Sequence, residues 1–167
     1  VLVSLHRQEN VDSPERLKLA LDSLIAVRDE WQVPILVSTH PRTRKRLEAI
    51  SSDALPGFNF HEPFGYLDYN KLQLDAKCVI SDSGTISEES AIMGFPAVTL
   101  RDSMERPEAL EAGAILLASL GAHVQLLSPP DSPSIPQGYE QSNFSSSVVA
   151  FLLWTAPMNK RLRGLHA

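Results

Sequence analysis

The 167-residue sequence predicts a doubly wound α/β domain built on a parallel sheet. Three observations predict it. Short, continuous apolar runs alternate with segments of helical periodicity, as in chains whose helices cover both faces of a sheet. Polar clusters follow several of those runs at their carboxyl ends, where such sheets bind ligands. The apolar content of 43% with 21% charged residues is ordinary for a globular domain.

Each element follows from local signals. "VLVSL" (1–5) reads as the first strand. The segment "DSPERLKLALDSLIAVRDE" opens with Ser13 as N-cap, Pro14 at the first helical position and Glu15 complementing the helix dipole. Leu17, Ala20, Leu21, Leu24 and Val27 fall on one face at helical spacing. "PILVST" (34–39) is the second strand, and Pro41 starts a helix through "RTRKRLEAI". A short strand near "FNF" (58–60) precedes a helix over 66–75. "KCVIS" (77–81) is the next strand. "GTISEESAIMG" is a helix closed by Gly94, with Pro96 just beyond. "PAVTL" (96–100) and "AILLAS" (114–119) complete the strands.

After residue 127 the character changes. "SPPDSPSIPQG" holds four prolines and three serines, which makes it a connection with little helical content. "SNFSSSVVAFLLWTA" then restores a helix whose apolar face includes Val148, Val149, Leu152 and Leu153. The expected organisation is a main domain over 1–127, a connection over 128–140, and a C-terminal helix and tail over 141–167.

Composition excludes several function classes. Fifteen basic against twenty acidic residues give a net charge of −5, so nothing draws the chain globally to nucleic acid or an anionic membrane. A single cysteine, Cys78, rules out a disulfide framework or a cysteine metal cluster; in the apolar run "KCVI" it reads as a buried, inert thiol. No apolar run approaches the ~20 residues that span a bilayer. No signal peptide is visible, and the cytoplasm is the expected compartment. The chain begins at Val1 with residues that already read as a strand, so a fragment of a longer chain is expected.

Three polar clusters at strand ends carry the chemistry. In "DSGTISEE", Ser83, Gly84 and Thr85 can aim backbone N–H groups and hydroxyls at an anion such as a diphosphate. Glu89, just over one turn into the helix, could accept a ribose diol. The bland alternative is a helix capped by Ser83 with an acidic first turn. "HRQEN" (6–10) packs His6, able to bind a phosphate or shuttle a proton, beside Arg7, a planar fork for phosphate; it also reads as a polar loop leading to the Ser13 cap. In "RDSMERPE" (101–108), Arg106 is either a phosphate clamp or an ion-paired surface turn. "RTRKR" (42–46) alternates around a helix and reads as a solvated face. Tyr66 and Tyr69 offer rings for a base to stack on. His40 precedes Pro41 at the same sheet edge, as a lining residue or a structural one. The histidines show no ligand spacing, and no metal is expected.

"SLHRQEN", "STHPRT", "PFGYLDYNKLQ", "SDSGTISEES" and "RDSMERPEA", in this order and spacing, resemble the C-terminal half of the UDP-N-acetylglucosamine 2-epimerase family. The resemblance covers residues 1–118 strongly and 119–167 weakly. "STHPRTRKRL" and "DYNKLQ" lean toward the branch acting on UDP-activated deoxy amino sugars of surface polysaccharides. The resemblance implies a glycosyltransferase-B-like fold of two Rossmann-like halves, of which this is the nucleotide-binding one. It implies UDP elimination to a glycal and re-addition with C2 inverted, without nicotinamide, metal or other cofactor.

By the same resemblance Ser83, Gly84 and Thr85 hold the diphosphate, and Glu89 the ribose hydroxyls. Arg106 is a phosphate ligand, His6 the active-site histidine, and Tyr69 an aromatic contact of uracil. The implied partners are a UDP-N-acetylhexosamine substrate, an N-terminal Rossmann-like half absent from this sequence, and a second copy, since the family tends to dimerise. The alternative is a UDP-binding module, either of a glycosyltransferase with the same architecture or as a fragment that binds UDP without turnover. "HRQEN" with "ERPE" favours the epimerase.

Overall fold

The structure is a computed structural model. It describes residues 1–47, 55–101, 115–118, 135, 142, 143, 145–151 and 153. Six strands form one sheet: β1 (Leu2–Ser4), β2 (Ile35–Ser38), β3 (Phe58–His61), β4 (Val79–Ser81), β5 (Ala97–Leu100) and β6 (Ile115–Ala118). Among the described residues five helices lie between β1 and β5: α1 (Gln8–Val11), α2 (Pro14–Trp31), α3 (Pro41–Leu47), α4 (Tyr66–Asp75) and α5 (Ile86–Met93). Neighbouring strands run parallel, in the order β3-β2-β1-β4-β5-β6. That is the Rossmann-like doubly wound order.

The order itself locates a site. The chain works outward from β1 to β3, then crosses back to lay β4 against the other side of β1. The loops leaving β1 and β4 therefore part in opposite directions, opening a crevice at the carboxyl ends of these two strands. Their register pairs Leu2 with Val79 and Ser4 with Ser81. His6 and Arg7 thus leave the sheet at the same level as Asp82 and Ser83.

Both faces of the sheet are covered, and strand alternation decides which residue goes where. Val3, Ile35, Val37, Ile80, Val98 and Leu100 pack on one face with Ala20, Leu24 and Val27 of α2. Leu2, Val79 and Ala97 point to the other face, with Ile86 of α5 and the partly buried Tyr69 and Leu72 of α4. The helical spacing read from the sequence holds for α2: Leu17, Ala20, Leu21, Leu24 and Val27 are its buried residues. Ser13 caps it, accepting from the Arg16 N–H at 3.2 Å. Cys78 is buried, and burial pushes its thiol up to about 12, consistent with the inert thiol expected.

Two local expectations are corrected. "HRQEN" contains more than a loop: Gln8–Val11 winds into the single turn α1, with Arg7 at its N-cap position. Four residues are too few to show a period, and the turn is instead held by burial of Asn10 and Val11. The N-cap of α5 is Thr85, not Ser83, and its side chain makes no cap bond. The helix does close at Gly94, whose φ of 78° requires a glycine.

The chain divides into two compact units, Val1–Pro136 and Gln137–Ala167. In the second, residues 145–151 and 153 are helical, with Val148, Val149, Phe151 and Leu153 exposed; Leu152 lies outside the described residues. Of the expected connection over 128–140, only Ile135 is described. Among the described residues, no helix is long and apolar enough to cross a membrane.

Candidate nucleotide-binding site

One residue organises the crevice. Asp82, the first after β4, has a side chain that is 0% exposed. Its carboxylate accepts from the His6 backbone N–H at 3.0 and 3.2 Å, from the Arg7 N–H at 3.0 Å and from Asn10 Nδ2 at 3.1 Å. His6 Nδ1 lies 3.1 Å from Oδ1. Burial alone would raise this carboxyl. Hydrogen bonds from the His6 ring, the Arg7 and His6 backbone and Asn10 outweigh it, and hold Asp82 below its ordinary value. Asn10 also donates to the Leu100 carbonyl at 3.2 Å, which links the ends of β1, β4 and β5.

Arg7 reaches across the crevice. Its Nε donates to the Asp82 carbonyl at 2.8 Å, and its guanidinium lies over the turn 83–85. A methyl group added at Gly84 would meet Arg7 Nη2 at 3.7 Å, an ordinary contact. Gly84 is also not among the positive-φ residues. Neither strain nor crowding in the fold therefore demands a glycine here. A glycine also lets a ligand approach the backbone closely, and that is the role proposed for Gly84. Gly84→Ala is accordingly expected to change unfolding free energy by less than ~1 kcal/mol, while weakening pyrophosphate binding at least tenfold in calorimetry. Equal affinity in the two proteins would remove the turn from the site.

The turn also makes bonds within itself. The Ser83 N–H donates to Ser81 Oγ at 3.1 Å, and the Thr85 N–H to Ser83 Oγ at a longer 3.3 Å. Thr85 Oγ1 donates to Glu89 Oε1 at 2.7 Å. The other Glu89 oxygen accepts from Gln73 Nε2 at 2.7 Å. Gln73 is 0% exposed, and its Oε1 has no partner. Glu89 is thus oriented from both sides, with lone pairs left for a further donor.

A cavity of about 220 Å³ joins these groups, lined by Ser4, His6, Ser38, Phe64, Tyr69, Ser81, Ser83, Ile86 and Glu89. Tyr69 is the half-buried tyrosine, with its hydroxyl on Ser4, and burial pushes that hydroxyl up to about 12. It offers a neutral donor and a ring face. Tyr66 is exposed. A larger cavity of about 580 Å³ lies between α2 and α3, lined mainly by apolar residues such as Leu17, Leu21 and Leu55. Lys18, Lys45 and Arg46 also border it, but the smaller cavity is the one that joins His6, Tyr69, Ser83 and Glu89. His40 Nδ1 accepts from the Arg42 N–H at 3.3 Å, an end-of-helix role. The "RTRKR" cations lie on the exposed side of α3, where Arg44 pairs with Glu62 and Arg46 with Asp12.

Of the residues singled out from the sequence, His6, Tyr69, Ser83 and Glu89 line one cavity, with Arg7, Gly84 and Thr85 beside it. Arg106 lies outside the described residues. Sequence reasoning missed Asp82 and Gln73. Asp82 was visible as the acidic residue at a strand end, next to the turn that drew attention. Gln73 carried one signal, a polar residue at a core-facing position of α4.

The family model described as UDP-N-acetylglucosamine 2-epimerase matches residues 1–125. The UDP-N-acetylglucosamine 2-epimerase of Methanocaldococcus jannaschii is 41% identical over 120 residues, 70% of this chain and 33% of that protein. A crystal structure of the M. jannaschii UDP-GlcNAc 2-epimerase in complex with UDP-GlcNAc and UDP superposes with a TM-score of 0.79 at 31% identity, covering 92% of this chain and 44% of that one. The enzyme of Rickettsia bellii gives 0.80 at 31% identity, over 96% and 45%. The chain spans a third of the length of the curated relative and under half of the solved ones. Its sheet is one Rossmann-like half of a glycosyltransferase-B-like architecture.

Proposed function

The chain belongs to the UDP-N-acetylglucosamine 2-epimerase family, and from that membership we propose that it is the C-terminal, nucleotide-binding half of an enzyme inverting C2 of a UDP-linked N-acetylhexosamine. The carrying observation is the crevice between β1 and β4, where His6, Arg7, the turn 83–85 and Glu89 meet at one cavity. In the elimination step a base removes the C2 proton, the C1–O bond to UDP breaks, and a glycal remains. UDP then re-adds at C1 while a proton is delivered to the opposite face of C2.

This half answers to the charge that develops on departing UDP. Arg7 and His6 supply positive charge, and the turn 83–85 supplies preorganised donors. Glu89, oriented by Gln73 and Thr85, takes the ribose hydroxyls, and the Tyr69 ring contacts uracil. Arg106 is assigned to a phosphate. The proton-transfer groups for C2 belong to an N-terminal Rossmann-like half, which closes the cleft over the sugar, and the enzyme acts in the cytoplasm as a homodimer.

Calorimetry tests the reading directly. UDP is expected to bind this chain weakly, because no second half desolvates the site; a folded sample that ignores millimolar UDP would sink the assignment. Glu89→Gln is expected to weaken UDP by ~1.5–3 kcal/mol, the value of a charge-assisted hydrogen bond, and to leave pyrophosphate nearly untouched. Equal losses for both ligands would give Glu89 a general structural role instead.

A further inference from the structure

The His6 residue is gripped twice by one buried carboxylate. Its backbone N–H donates to both Asp82 oxygens, and its ring Nδ1 sits 3.1 Å from Oδ1. A carboxylate in that position requires a proton on Nδ1 and fixes the plane of the ring. Nε2 is then the nitrogen left for a ligand, on a ring that lines the cavity with Ser83 and Glu89. Asp82 is wholly buried while the His6 side chain is 43% exposed, so the pair joins a fixed charge inside to a titrating group at the rim.

We propose that Asp82 is a positioning residue that keeps His6 an imidazolium, with Nε2 donating to the diphosphate subsite, so that anion affinity in this crevice depends on pH near neutrality. The proposal rests on the nucleotide-binding reading above and names how that site is regulated. Every element around the ring bears on the charge. Asp82 beyond β4 favours it and Arg7 of the same loop opposes it, while Glu89 of α5 lines the same cavity. The His40 ring, at the end of β2, stands 6.5 Å away. Tyr69 of α4 adds a neutral hydroxyl. The hydrogen bond to Asp82 outweighs partial burial and Arg7, and raises His6 above its ordinary 6.5.

The test uses the 167-residue chain with inorganic pyrophosphate and UDP as probes. The His6 imidazole is titrated by NMR without ligand, and affinity is measured across neutral pH by calorimetry. Wild-type His6 is expected to titrate above 6.5. Pyrophosphate affinity should fall about tenfold as pH rises through that titration, the value of a charge-assisted contact. His6→Gln supplies the baseline, since it retains the ionisation of the ligand and removes the imidazole. In Asp82→Asn, both the titration and the affinity step should move to lower pH, which a purely structural role for Asp82 would not cause. Wild-type His6 titrating at or below 6.5, or a step that persists in His6→Gln, overturns the proposal even where Asp82→Asn fails to fold. Loss of UDP binding with the pyrophosphate step intact would instead strike the nucleotide reading and leave the His6–Asp82 coupling supported.

Discussion

Residues 1–167 on their own are expected to leave solvent deuterium out of C2 of a UDP-N-acetylhexosamine. In the proposed reading His6, Arg7 and the turn 83–85 are assigned to departing UDP, and none of them to the proton at C2. Elimination needs a base in contact with that carbon, and general base catalysis is typically worth ~10²–10⁴-fold. A full-length enzyme carrying this half should exchange C2 readily. His6→Ala in that enzyme should cut exchange by a similar ~10²–10³-fold, within the range for a lost electrostatic donor, with unchanged circular dichroism. Exchange catalysed by the isolated chain would place the base within residues 1–167 and require the roles to be redrawn.

Asp82→Ala should be the most destabilising single substitution in the crevice. It strands the His6 and Arg7 N–H groups, removes one of the two acceptors of Asn10 Nδ2, and takes away the partner of the His6 ring. Each stranded N–H costs about 1–3 kcal/mol, and the 43%-exposed His6 ring adds little because water screens it; together this lowers the melting temperature by roughly 4–24 °C in a chain of this size. The pH dependence has a definite sign. Asp82 is held below 3.8, so its share is present above that value and fades as pH falls through the lowered one. His6 is raised above 6.5, so its share is complete below 6.5 and fades as pH rises through the raised value. The gap between wild type and Asp82→Ala should therefore be widest from pH 3.8 to 6.5 and narrow on both sides. A gap below ~1 kcal/mol at its widest would mean that water replaces the carboxylate, and that Asp82 does not hold the two loops together.

The legible features were those whose signals are local. The Ser13-Pro14 start of α2, its five buried positions and the Gly94 stop of α5 each depend on neighbours within a turn or two. The β-strands were legible as runs, because a strand buried on both faces needs apolar residues at every position. The turn at 83–85 and the His6-Arg7 pair stood out as polar clusters at strand ends. Their conformations did not. α1 formed because Val11 found the core and Asn10 found Asp82 and Leu100, partners 72 and 90 residues away. The start of α5 moved to Thr85 while Ser83 bonded within its own turn.

By itself, then, the sequence determined the layers of this protein, the order of its elements, and the family to which its five motifs pointed. It also named most of the polar residues at the crevice. Only the tertiary structure decided that β4 lies beside β1, and so that residues 6–10 and 82–85 share one site. It alone made Asp82 the hub of that site and set Gln73 behind Glu89. The physical reason is range. Helix periodicity and capping are written within a few residues, whereas the environment of a buried carboxylate is set by every donor the fold brings to it. Asp82 in the sequence is an acid beside a serine; in the fold it carries the His6 ring, two backbone N–H groups and Asn10 at once.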